Sequence, residues 1–207
     1  MLLYYDKDKA FALKPVGISS EGEGMPALVQ AELAGKGVTA QVYPLHRLDT
    51  AVGGVMVFAL NKKTAADISG KIAEGAGIKK EYLAVVHGCP QEKSGVYEDL
   101  LFKDSRANKS YVVKRERKGV KKASLEYEVL GEAEGLSLVR ILLHTGRTHQ
   151  IRVQFSSRKM PLYGDGKYGG RDKGGIALFS HRITLDSGEA FEQLPENTYP
   201  WSLFFNK

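Results

Sequence analysis

Residues 53–60, GGVMVFAL, constrain the fold more than any other stretch of this chain. The run is apolar, rich in Val and Phe, led by two glycines, and too short for a core helix. It reads as a buried strand. Immediately before it stand His46, Arg47, Leu48 and Asp49. An acid at the mouth of a buried strand, two residues after an arginine, needs a reason beyond solvation.

The chain has 207 residues, enough for one large domain or two small ones, and we read residues 1–207 as a single domain. Hydrophobic residues make up 43% and charged residues 26%, so a core can be built. Thirty basic residues against 24 acidic ones give a formal charge of +6, which permits a polyanionic partner. Cys89 is alone, so no disulfide forms within the chain, and a reducing compartment suits it. No apolar stretch reaches membrane-spanning length, and charges from Asp6 onward leave no signal-length apolar core. A cytoplasmic protein is expected.

Residues 3–13 suggest two short strands around an Asp-Lys-Asp-Lys turn, broken at Lys14-Pro15-Val16-Gly17. A short helix is predicted over 26–34, with Pro26 in its first turn. Thr64 and Asp67 resemble a capping box that starts a helix to about Ala73, ended by Gly75 and Gly77. Strands are predicted at 80–87, 124–130, 136–143 and 176–185, with only strand fragments in the polar stretch 92–122. A helix is expected over 148–157, capped by Thr148. A glycine-rich loop covers 163–175, and the aromatic tail, 191–206, is expected to pack back on the sheet. Strands outnumber helices and several are hairpin neighbours, which favours an α+β fold over a doubly wound sheet.

Several motifs fail. Gly164 to Gly169 matches GxGxxG, but GRDKGG after it is a poor helix, so a backbone-shaping loop is the better reading. None of the five histidines is paired at i, i+4, and one cysteine cannot make a zinc cage. No metal site is expected. There is no GxSxG and no P-loop. Residues 143–152, LHTGRTHQIR, survive. Arg147 falls at a strand-to-helix junction, a good anion site, with Arg152 about one turn on. One anion it could serve is Asp49.

Together these stretches resemble the RluA family of pseudouridine synthases. The resemblance rests on HRLDTAVGGVMVF (46–58), KEYLAVVHG (80–88), LHTGRTHQIR (143–152), PLYGDGKYG (161–169) and ALFSH (177–181), with YDKDKAFALKPVG (5–17) at the start. The motifs keep their order and span nearly the whole chain. Two departures stand out. Val52-Gly53-Gly54 replaces a frequent Thr-Ser-Gly, and the core begins near residue 3, leaving no room for the S4 domain that many members carry ahead of it.

The resemblance implies a mixed, largely antiparallel sheet with flanking helices and a central cleft. It implies that uridine in RNA becomes pseudouridine: the N1–C1′ bond breaks, the uracil turns, and C5 joins C1′, with no cofactor. Asp49 is then the essential carboxylate, acting as nucleophile or base. Arg147 holds it ionised, and Tyr82 stacks on the uracil or moves a proton. Arg47 fills the gap left by the flipped nucleotide. Lys114, Arg115, Arg117, Lys118, Lys121 and Lys122, with Arg152, are read as RNA-binding. The partner is ribosomal or transfer RNA, no membrane is involved, and a monomer is the simplest state. A non-catalytic RNA-binding or RNA-folding factor on the same scaffold is the competing reading. A small-molecule hydrolase has only the lone acid in its favour.

Overall fold

A computed structural model describes residues 1–205. In chain order the elements are β1 (Leu2–Tyr5), β2 (Lys9–Lys14), α1 (Met25–Ala34), β3 (Tyr43–Pro44), β4 (Gly53–Ala59) and α2 (Lys62–Ala73). There follow β5 (Ile78–His87), β6 (Ser94–Asp104), β7 (Lys109–Val113), β8 (Val120–Ala133), β9 (Leu136–Leu143), α3 (Gln150–Ser157), β10 (Leu178–Leu185), β11 (Ala190–Glu192) and a 3₁₀ turn at Trp201–Leu203. They form an α+β fold built on a largely antiparallel sheet. The described residues divide into two compact units: Met1–Lys80 with Phe179–Pro195, and Glu81–Leu178 with the residues from Glu196 on. No helix among the described residues is long and apolar enough to cross a membrane.

In the first unit, β4 is buried along its whole length, as the apolar run requires. It pairs antiparallel with β2, from Lys9↔Ala59 to Lys14↔Gly54, and β1 extends that sheet. Its other edge is shared. Near its start it pairs in parallel with β10, Gly53↔Phe179 and Gly54↔Ser180, and near its end with β3. Phe11, Val55, Val57, Ile68 and Ile183 form the core, sealed by Phe191 of β11 stacked on Phe11 at 4.1 Å between ring centres. The hairpin turn is an Asx turn, in which Asp6 Oδ1 accepts the N–H groups of Asp8 and Lys9.

The second unit is a sheet in the order β5–β9–β8–β6–β7, with antiparallel pairing from β9 to β7. Helix α3 covers one face of β6 and β7, where Val153 joins Leu101, Ala123 and Tyr168. Tyr97, Tyr127 and Phe155 form an aromatic cluster beside it.

Three sequence expectations change. Helix α2 starts at Lys62, because Asn61 rather than Thr64 is the cap: its Oδ1 accepts the Thr64 N–H at 2.9 Å. Helix α3 starts at Gln150 rather than at 148, because His149 takes a left-handed conformation, φ 54°, that ends the preceding turn. The stretch 92–122 holds the long strand β6, strand β7 and the start of β8. Its polar residues mark an exposed sheet face rather than irregular chain. Of the tail, Ala190–Glu192 joins the sheet by pairing with β10, while Asn206 lies outside the described residues.

The two glycines that open β4 are not equivalent. A Cβ on Gly54, whose φ is 126°, would meet the backbone of Ser180 at 2.4 Å. On Gly53 it would come no closer than 3.3 Å, to the Lys14 carbonyl. Gly54→Ala is expected to cost about 3 kcal/mol or more in denaturant unfolding, and Gly53→Ala no more than about 1 kcal/mol. Equal costs would show that the Ser180 backbone yields.

Candidate active site

Asp49 opens a turn in which its own carbonyl accepts the Val52 N–H at 2.9 Å. The segment around it is fixed from three sides within the first unit. Buried Ser20 clamps Leu48, its Oγ donating to the Leu48 carbonyl at 2.8 Å and accepting the Leu48 N–H at 2.9 Å. Lys14, the last residue of β2, is only 1% exposed. Its Nζ donates to the carbonyls of Val52 (2.8 Å), Pro15 (3.0 Å) and Thr50 (3.3 Å). Burial pulls this ammonium down to about 8, while the negative charge of Asp49 acts to raise it. On the far side, His46 Nε2 accepts the Val57 N–H at 3.3 Å.

Asp49 is half-buried, between buried Leu48 and exposed Thr50. Leu48 is buried, whereas the Arg47 side chain is 71% exposed and makes an exposed ion pair with Glu21 at 3.4 Å. Such a pair contributes little and is readily exchanged for another anion. The turn therefore presents a half-buried acid, on a backbone tied by buried groups, beside an exposed arginine.

In the second unit the TGRTHQIR stretch is organised by Gln150. Its Oε1 accepts from the Thr145 hydroxyl (2.7 Å) and the Arg147 N–H (3.0 Å), and its Nε2 donates to the Ser124 carbonyl (3.1 Å). His149 Nδ1 is bonded to the Tyr168 hydroxyl at 3.0 Å, and that hydroxyl also accepts the Ser110 N–H at 2.7 Å. Tyr82 is buried on β5. Lys114, Arg115, Arg117 and Lys118 are exposed between β7 and β8, and Lys121 and Lys122 are exposed at the start of β8.

One assignment made from the sequence changes. Arg152 is no surface cation for RNA. It is 5% exposed, and its Nε and Nη2 hold both oxygens of buried Asp165 at 2.7 and 2.8 Å. Asp165 belongs to the glycine-rich loop, whose glycines serve backbone packing: a Cβ on Gly164 would meet the Gly175 carbonyl at 2.2 Å. Arg147 donates its Nε to the Lys122 carbonyl at 2.9 Å, at the root of the basic hairpin. Within the first unit, the cation whose charge acts on Asp49 is Lys14. Reading Lys14-Pro15 only as a chain break missed it. In KAFALK, Lys14 has the strand parity of Ala10 and Ala12, opposite to the core residue Phe11, so it is the burial of both faces of β2 that places it inside.

The RNA pseudouridylate synthase family model matches residues 10–157. An uncharacterized RNA pseudouridine synthase of Zymomonas mobilis is 30% identical, covering 89% of this chain and 86% of its own length. Ribosomal large subunit pseudouridine synthase C of Buchnera aphidicola is 28% identical over 88% of this chain, which spans 58% of that relative. The solved structure of human RNA pseudouridylate synthase domain containing 1 superposes with a TM-score of 0.78 at 25% identity, covering 98% of this chain and 85% of that one. The chain belongs to the RNA pseudouridine synthase family, isomerases that act on RNA, and carries the RluA-type motifs.

His46 gives the site a distinctive acid response. Its imidazole is held down to about 3, from 6.5, by burial first and by the nearby Lys80 charge second, and its Nδ1 is buried with no hydrogen-bond partner in the structure. Between those two values the unfolded chain binds the proton and the folded one refuses it. Stability is therefore lost as pH falls from 6.5 towards 3, by up to about 1.4 kcal/mol per pH unit, and is untouched above 6.5. Urea unfolding of His46→Gln is expected to show a flatter dependence in that window. A curve parallel to wild type would remove His46 from the acid response.

Proposed function

We propose that this chain isomerises specific uridines of structured RNA to pseudouridine with Asp49 as the essential carboxylate. The observation that carries the reading is the Asp49 turn, clamped by Ser20 and Lys14 and flanked by the outward-facing Arg47. A pure RNA binder has no use for a half-buried acid in a turn tied down by a buried ammonium, which disfavours the non-catalytic alternative.

In this reading the target nucleotide leaves its stack, at a cost of a few kcal/mol, and Arg47 enters the vacated space. A planar guanidinium can stack on the neighbouring bases and bond a phosphate. Asp49 acts on the extruded nucleotide as nucleophile or base. The N1–C1′ bond breaks, the uracil turns, C5 bonds to C1′, and the hydrogen on C5 leaves as a proton. Tyr82 supplies a ring for the uracil to stack on. Lys14 keeps the carboxylate turn in register and adds a positive charge near it. Arg147, set at the root of the basic hairpin by the Lys122 carbonyl, is the cation that keeps the catalytic carboxylate ionised, and Lys114, Arg115, Arg117, Lys118, Lys121 and Lys122 grip phosphates. Ribosomal RNA is the first target class to test, after the Buchnera relative, with transfer RNA second. The protein acts as a monomer in the cytoplasm.

Tritium release from RNA labelled at uridine C5 tests the chemistry, since forming the new C–C bond expels that hydrogen. Wild type is expected to release it, and Asp49→Asn to lose at least about 10³-fold in rate with RNA affinity intact. Undiminished release from Asp49→Asn would dismiss the acid.

Replacing Lys114, Arg115, Lys118 and Lys121 by glutamine is expected to weaken RNA binding. The slope of log affinity against log salt should drop by roughly 0.7–0.9 for each phosphate no longer neutralised. An unchanged slope, measured by filter binding, would make the run a solvated hairpin tip.

A further inference from the structure

The face of β6, β7 and β8 opposite α3 carries a row of side chains in register, Tyr111, Phe102 and Val120. Their neighbours on the other face, among them Leu101 and Val112, are the ones packed under α3. Tyr111 is 43% exposed. Beside it, the Arg117 guanidinium lies over the Phe102 ring, 4.8 Å from its centre, and Lys109 Nζ is 5.8 Å from the centre of the Tyr111 ring. Residues 109–122 hold seven Lys or Arg against a single acid, Glu116.

An aromatic and an arginine would suit a protein partner too, but the lysines that ring them here would not. Lysine is depleted at the centre of protein interfaces. The same combination suits unpaired nucleic acid, where bases stack on aromatic and guanidinium planes and cations follow the backbone. We propose that this face binds a single-stranded RNA segment, one base stacking on Tyr111 and the next on the Arg117–Phe102 pair, with Lys109 and Lys122 taking the adjoining phosphates. The inference rests on the reading of the chain as an enzyme of RNA and deepens it: the same basic hairpin also offers rings to unpaired bases, which distinguishes unpaired from paired strands. A duplex hides its base faces, so it could use the cations but not the rings.

The test uses RNA without uridine, so that binding is read apart from turnover. Fluorescence anisotropy compares a labelled oligoadenylate of about 12 nucleotides, within the usual span of single-strand sites, with a G·C duplex of equal length. Tyr111→Leu is expected to weaken oligoadenylate binding about tenfold, the effect of losing one stacked base. Duplex binding should stay as in wild type, which also reports an intact fold, and Tyr111→Phe should bind both RNAs normally. Equal losses on both RNAs, no loss on either, or failure of wild type to bind oligoadenylate would each overturn the proposal and leave a surface that holds RNA by charge alone. Tritium release measured on the same preparations separates the two readings: absent turnover with Tyr111-dependent binding rejects the synthase mechanism and keeps this site.

Discussion

The buried ammonium of Lys14 is the interaction on which the Asp49 turn depends. Taking a cation out of water is costly, and the depressed pKa of about 8 registers that cost. Three carbonyls and a nearby carboxylate charge offset it. The carbonyls belong to Pro15, Thr50 and Val52, so one charge ties the end of β2 to the residues that follow Asp49. Ser20 does the same for Leu48 from the other side. The acid is positioned by groups that never need to touch RNA.

The second unit follows the same logic with different chemistry. Gln150 replaces a conventional helix cap, collecting Thr145, Arg147 and Ser124 around one amide, while His149 accepts a strained backbone in exchange for its bond to Tyr168. The Arg152–Asp165 pair anchors the glycine-rich loop to α3. With its paired, two-pronged geometry, this ion pair favours one arrangement of the loop over its alternatives.

Much of this was legible in the sequence where periodicity or motif order spoke. The apolar run that became β4, the Asx hairpin, and the helix led by Pro26 follow from local chemistry. The order of HRLD, TGRTHQIR and the GDxxYG loop pointed to the family, whose model matches residues 10–157. The rest turns on distant partners. Arg147 and Arg152 are both arginines on a polar stretch, and nothing local says which is buried. That depends on Asp165, thirteen positions beyond Arg152, and on the Lys122 carbonyl. Lys14 lies beside a proline and on the strand face opposite Phe11, so only the burial of both faces of β2 reveals it. The strands of 92–122 were under-read because an exposed sheet face dilutes the apolar alternation.

The pairing of β4 with β10 has a consequence for the order in which the protein is made. Gly54 lies against Ser180, whose hydroxyl also bonds the Val55 carbonyl across 125 positions. The first unit is thus discontinuous, its opening 80 residues waiting for a strand encoded near the end of the chain. On a ribosome, which delivers the N-terminus first, the edge of β4 beside the Asp49 turn stays uncovered until the intervening second unit has been synthesised. Such a long-range closure slows folding. It also means that a chain truncated before residue 180 carries every residue of the HRLD motif and lacks the strand that closes over its exit.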